Sequence, residues 1–305
     1  MTTTRFSDPT AFRDLVLPLL TPFEAENNLP LGVLSGVVSD PNRFHNVLLA
    51  VVHTGPEPSV DNIASVFMRT PPFPVMVAYG ESAADPAVVE TVIALLQDVY
   101  GSDIGGFNLD TRLADAYVNA WVAATGANKR LRMSMRTYRC TRVNSLPTAP
   151  GTPRPPTAAD AATLRAFVTG FYHDALPEEY DPQRVESYVK RVLTADPAQQ
   201  GMLLWERDGE VVSMAAYSGP TPHGIRVNAV YTPREHRKQG YARSCVAELT
   251  MRLLAEGRSF CFLFTDLTNP TSNRIYQEIG YEPVSDYVNW DISQVSVPRA
   301  TEAES

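Results

Sequence analysis

The chain has 305 residues, 44% of them apolar and 20% charged, with a formal net charge of -8. Such a length suits two domains of roughly 150 residues, and such a composition an ordinary buried core. An acidic balance without a Lys or Arg block argues against nucleic-acid binding, and no apolar run approaches the roughly 20 residues of a membrane helix.

In the first half, the apolar runs at 47–52 and 75–79 read as buried strands. Residues 88–96 have helical spacing through Val89, Val92, Ile93 and Leu96. A second helix is predicted at 114–124 and a strand at 132–143. No motif here attaches to a reaction. Five prolines then fall within 147–156, where they can neither continue a helix nor donate to a ladder. This stretch reads as an extended linker between a domain at 1–146 and another at 157–295, with a disordered polar tail at 296–305.

After the linker, Thr157 and Asp160 form an N-cap pair before a helix whose apolar face is Leu164, Phe167, Val168 and Phe171. Asp181-Pro182 starts another helix. Strands at 202–205 and 211–217 flank Asp208-Gly209, a hairpin signal. A strand at 226–231, a helix at 241–256 ended by Gly257, a strand at 260–264, a helix at 271–279 stopped by Gly280 and a strand at 287–292 complete the order. The class is α+β with a mixed sheet.

The segment Val230-Tyr-Thr-Pro-Arg-Glu-His-Arg-Lys-Gln-Gly-Tyr-Ala242 places a Gly-containing basic turn between a strand and a helix start. Unpaired backbone N–H groups and a partial positive charge make a helix N-terminus a cradle for a pyrophosphate. Gly240 permits close approach, Ala242 leaves room, and Arg237, Lys238 and Arg243 add charge. The alternative reading of these residues alone is a solvated basic turn.

The turn is followed by a helix, a strand, and then Asn269-Pro-Thr-Ser-Asn273-Arg-Ile-Tyr276-Gln-Glu-Ile-Gly280-Tyr281. This succession resembles the GNAT superfamily of acyl-CoA-dependent N-acyltransferases over about 155–292. Arg237, Gly240 and Ala242 match the family's Gln/Arg-x-x-Gly-x-Gly/Ala pyrophosphate loop. Asn269 matches the Asn that contacts the pantetheine arm, and Tyr276, seven residues on, the general acid. Gly280-Tyr281 matches the turn into the next strand.

The resemblance implies acetyl-CoA as co-substrate, lying between two splayed parallel strands, with no metal. Backbone groups of Val230, Tyr231 and Thr232 would bond the pantetheine, and an N–H near Val230 would act as oxyanion donor. The loop residues Arg237, Lys238, Gln239, Gly240, Tyr241 and Ala242 would hold the pyrophosphate. Asn269 and Asn273 would contact the arm, and Tyr276 would protonate the departing thiolate. The first half reads as a degenerate GNAT-like domain shaping an acceptor cleft at the domain interface. Its turn at 80–85 carries Glu81 and Asp85 where a pyrophosphate needs positive charge.

Relatives carry a Glu on the strand before the loop, where this sequence has Asn228, which cannot be a base. His223, Glu206 and Asp266 are unranked candidates that could act through water, and the base is left unassigned. The expected activity is acetyl transfer to a primary amine of a small molecule. The alternatives are peptide or protein acetylation, or a non-catalytic acyl-CoA-binding module. The N-terminus, with Asp8 and Asp14, has no signal-peptide core, and the three cysteines, Cys140, Cys245 and Cys261, show no CxxC spacing. The expected location is therefore cytoplasmic, with no membrane or nucleic-acid partner.

Overall fold

A computed structural model describes residues 1–294, so the tail expected over 296–305 lies outside the described residues. The chain runs β1 (Thr2–Arg5), α1 (Pro9–Leu20), α2 (Asn28–Ser39), β2 (Leu48–His53), β3 (Ile63–Arg69), β4 (Val75–Val77), α3 (Pro86–Tyr100), β5 (Gly106–Asp110), α4 (Thr111–Thr125) and β6 (Asn128–Cys140). It continues through β7 (Thr152–Arg154), α5 (Ala161–Ala175), α6 (Pro182–Thr194), β8 (Gln200–Arg207), β9 (Glu210–Ser218), β10 (Gly224–Tyr231), α7 (Tyr241–Ala255), β11 (Phe260–Asp266), α8 (Pro270–Ile279) and β12 (Glu282–Ser293). These form two units, 1–23 with 40–134 and 286–294, and 24–39 with 135–285.

The second unit is a mixed sheet in the order β6-β11-β10-β9-β8-β7, in which β10 and β11 are parallel. Its hairpin between β8 and β9 turns on Asp208 and Gly209, with φ of 52° and 82°, as a tight hairpin requires. Thr157 and Asp160 form a full capping box, and the Asp181 side chain caps α6. Strand alternation sends Leu203, Ile225, Val227, Cys261 and Leu263 to one core with Val246, Leu249, Tyr276 and Ile279. Met202, Leu204, Met214 and Ala216 form a second core with Leu164, Val168, Val185 and Val189 of α5 and α6. Each fully buried Val, Leu, Ile or Met among them contributes about 1.5–3 kcal/mol.

Two boundaries differ from the sequence reading. The proline-rich stretch is not a free linker: Thr152–Arg154 pairs with β8 as an edge strand, where proline is tolerated. Gly151 has a φ of 124°, and a Cβ there would fall 2.5 Å from the Glu206 carbonyl oxygen. The Trp205 indole N–H donates to the Pro150 carbonyl at 3.0 Å.

The segment 24–39 also leaves the first half of the chain to join this second unit. Buried Glu24 anchors it by accepting from the Thr221 hydroxyl (2.5 Å), the backbone N–H groups of His223 (2.8 Å) and Gly224 (3.1 Å), and His223 Nδ1 (2.7 Å).

The first unit has the sheet order β1-β2-β3-β4-β5-β12, with β4 and β5 parallel. It packs Val88, Val92 and Leu96 of α3 and Leu113, Tyr117 and Trp121 of α4 around Phe67, Val77 and Phe107. Its succession β2-β3-β4-α3-β5-α4-β6 repeats β8-β9-β10-α7-β11-α8-β12 of the second half. The last strand of each succession completes the other unit's sheet: β12 pairs with β5, and residues 135–140 of β6 pair with β11. The architecture is α+β, with two GNAT-like mixed sheets flanked by helices.

Candidate active site

Three register pairs join β10 to parallel β11, ending at Arg226 with Phe262, and the ladder goes no further along β10. On its other side β10 breaks register with β9 between Asn228 and Tyr231, where Ala229 has a φ of 44°. A bulge of this kind takes peptide groups out of the ladder, here those of Ala229 and Val230. Ser213 of β9, fully buried, fixes the far end. Its hydroxyl donates to the Tyr231 carbonyl at 3.1 Å and lies 2.8 Å from the Thr232 hydroxyl. The result is a gap between two parallel strands, lined on one side by held but unladdered backbone.

At the end of that strand the chain turns through Lys238 and Gly240, both left-handed with φ of 64° and 83°, into α7. The first N–H groups of α7, from Tyr241 to Arg243, have no partner within the helix. Tyr241 is buried beneath the turn, and its hydroxyl donates to Gln239 Oε1 at 3.0 Å while accepting from Arg207. Arg237 donates from Nε to the Thr232 carbonyl at 2.9 Å and from Nη2 to Asp174. Arg237 thus braces the loop from within. Arg243 is likewise engaged, with Glu278 at 3.2 Å and the Pro147 carbonyl at 3.3 Å.

After β11, Asn269 caps α8 by accepting from the Ser272 N–H at 3.0 Å, with Pro270 at the first helical position. The Asn273 amide is held inside the fold. It donates to the carbonyls of Asp266 (2.8 Å) and Asn269 (2.7 Å) and accepts from the Tyr138 hydroxyl (3.0 Å). These bonds tie α8 to the end of β11. Tyr276 follows on the buried face of α8, with Tyr281 6.0 Å away between ring centroids. Burial pushes its hydroxyl up to about 12, so it holds its proton at neutral pH.

The three bases separate clearly. His223 precedes β10, and seven extended residues put the two ends of that strand about 20 Å apart, so His223 stands at the wrong end. Glu206 pairs with Arg154 at 2.6 Å on β8. Asp266 ends β11 beside the gap, on the alternation opposite Cys261 and Leu263, and its Oδ1 accepts from the Thr268 N–H and hydroxyl at 2.7 and 2.8 Å. Only Asp266 of the three lies near the gap. Ser213, Arg207, Asp174 and Tyr138 were invisible to motif reading, because each acts on the site from a different strand or helix.

The corresponding parallel pair of the first unit is closed by side chains. Arg112 lies 3.4 Å over the Tyr79 ring and makes two bonds to buried Asp110, across the ends of β4 and β5. Among the described residues no cluster of His, Cys, Asp or Glu could hold a metal ion, and no helix is long and apolar enough to cross a membrane.

Residues 165–281 match the acetyltransferase (GNAT) family model. A search of curated proteins finds no match. Among solved structures, a GCN5-related N-acetyltransferase from Sphaerobacter thermophilus is 14% identical with a TM-score of 0.61, over 97% of this chain and 96% of that one. A GCN5-related N-acetyltransferase from Kribbella flavida is 16% identical with a TM-score of 0.55, over 88% and 96%. A tandem GNAT protein from the clavulanic acid biosynthesis pathway is 13% identical with a TM-score of 0.55, over 96% and 98%. These likenesses concern the fold. The family match assigns residues 165–281 to an acetyltransferase (GNAT) domain, and it is this part of the chain that marks it as an acyltransferase.

Proposed function

We propose that the chain transfers an acetyl group from acetyl-CoA to a primary amine of a small molecule by direct attack in a ternary complex. The observation that carries this reading is the convergence of three features: the gap beyond Arg226, the left-handed turn at Gly240 leading into α7, and the buried Tyr276 on the helix after β11. Val230, Tyr231 and Thr232 bond the pantetheine through their backbone, and the Val230 N–H stabilises the oxyanion. The backbone of residues 237–242 takes the pyrophosphate, Lys238 supplies charge at the exposed rim, and Asn269 meets the arm.

The amine loses its proton through water to Asp266 and attacks the thioester carbon. The carbon–sulfur bond breaks with the electron pair going to sulfur, Tyr276 gives the thiolate its proton, and the proton shed by the new amide nitrogen returns through water to the Tyr276 oxygen. A small-molecule acceptor is also in keeping with the whole-length neighbour from the clavulanic acid pathway. Three free, buried thiols suit a cytoplasmic setting.

Thermal unfolding with and without acetyl-CoA tests the reading first, since a ligand of the native state raises the melting temperature. Thiol release is then followed against small amines and basic peptides. No shift with acetyl-CoA overturns the reading, and turnover confined to peptides overturns the small-molecule acceptor.

A further inference from the structure

Asp174 lies at the C-terminal end of α5, outside every motif of the second half, and receives two arginines of the loop. Arg237 Nη2 donates to its Oδ2, and Arg234 Nη2 donates to its Oδ1 at 3.3 Å. Arg237 also holds the Thr232 carbonyl through Nε, and its guanidinium carbon sits 5.9 Å from the Tyr231 ring centroid. One guanidinium therefore bridges the end of β10 to the end of α5. Directly after Arg237, Lys238 has a φ of 64°, a conformation that costs a non-glycine residue about 1–3 kcal/mol and persists only where surrounding contacts impose it.

We propose that Asp174 is a positioning residue for acyl-CoA, holding the pyrophosphate loop in its binding shape through Arg237 and Arg234. The inference rests on the acetyl-CoA reading above. Burial disfavours the Asp174 charge, yet the bonds from the two arginines hold its carboxyl below the ordinary carboxylate value. With Nε and Nη2 both engaged, Arg237 shapes the turn and leaves the phosphates to the backbone N–H groups that follow it.

This role has a sign opposite to simple electrostatics. Removing a negative charge near a pyrophosphate strengthens binding if Asp174 is only a competitor for the arginines. If it positions the loop, Asp174→Asn weakens binding. The test measures KM for acetyl-CoA, kcat and calorimetric affinity for wild type, Asp174→Asn and Asp174→Glu, with melting temperatures without ligand as a folding check.

The expected result for Asp174→Asn is an affinity loss and KM rise of about tenfold with kcat within about twofold, partly restored in Asp174→Glu. Equal or tighter binding by Asp174→Asn overturns the proposal. So does a kcat loss without a KM change, or an affinity loss accompanied by global destabilisation. A wild type that binds no acetyl-CoA overturns instead the reading on which the proposal rests.

Discussion

Tyr117 and Tyr276 hold equivalent positions in the two halves, each seven residues after the side chain that caps its helix, Asp110 for α4 and Asn269 for α8. Their hydroxyls differ in use. Tyr117 donates to the Ala83 carbonyl at 2.7 Å in the turn before α3, whereas burial alone shifts Tyr276. The first is thus a structural strut, and the second occupies the same frame in the place proposed for the proton donor. Tyr276→Phe is expected to lower kcat by about 10²-fold or more and leave the acetyl-CoA-induced thermal shift intact. Tyr117→Phe is expected to cost about 1 kcal/mol of stability with kcat unchanged. Steady-state kinetics on both variants check the pair.

The same comparison sets the stoichiometry. The Arg112–Tyr79 stack and its Asp110 pairing fill the ends of the first unit's parallel strands, and the turn leading to α3 carries Glu81 and Asp85. A pyrophosphate arriving there meets carboxylates and no arginine-bearing loop. Calorimetry is expected to give one acetyl-CoA per chain. A value of two contradicts the assignment of the first unit as a closed cradle.

The second half was legible because its signals are local. A hairpin at Asp208-Gly209, a capping box at Thr157 and stops at Gly257 and Gly280 depend on neighbours in sequence, and each is where those residues predict it. The first half was harder to divide. The strands β1, β3 and β5 and the helices α1 and α2 went undelimited, since β1 is an edge strand and α2, highly apolar with Gly32 and Gly36, lacks a clean amphipathic stripe.

What sequence could not reveal at all was exchange. Nothing local tells β12 to pair with β5, or Glu24 to seek the turn at 221–224. In the site, the motif supplied residues but not their partners within the fold. Asn273 and Arg237 are engaged with the fold itself by partners that no motif contains.

Gly170 of α5 supplies a test of how closely the helix must approach the bulged strand. A Cβ there would fall 2.3 Å from the Tyr231 hydroxyl oxygen and 2.5 Å from Cζ, and the ring packs edge-on to Phe167 at 5.7 Å. On helix propensity alone Gly170→Ala would gain about 1 kcal/mol. The clash outweighs it, so a net loss of about 1–3 kcal/mol is expected, with weaker acetyl-CoA binding as Tyr231 shifts. In Gly170→Ala/Tyr231→Leu the stability loss should be smaller than the sum of the singles, read from denaturant midpoints in a double-mutant cycle.

Alkaline stability follows from buried acids stacked against one core. Burial pushes Cys140 up to about 11, Cys261 to about 12 and Tyr276 to about 12, and it raises Tyr281 as well. In the unfolded chain thiols ionise near about 8.5 and phenols near about 10. The folded state binds these protons more tightly, so the unfolded state loses them first as pH rises. Their contribution is fully present below the unfolded values and is lost progressively up to the folded ones. Unfolding free energy should therefore begin to fall near pH 8.5 and continue falling to about pH 12. For Tyr276 the loss between pH 10 and 12 is bounded by about 2–3 kcal/mol, taking two units at about 1.4 kcal/mol each. Urea titrations at successive pH values are expected to show a shallower decline over that interval in Tyr276→Phe than in wild type. An equal decline in both would place the tyrosine hydroxyl in water, with the ordinary phenol value of about 10.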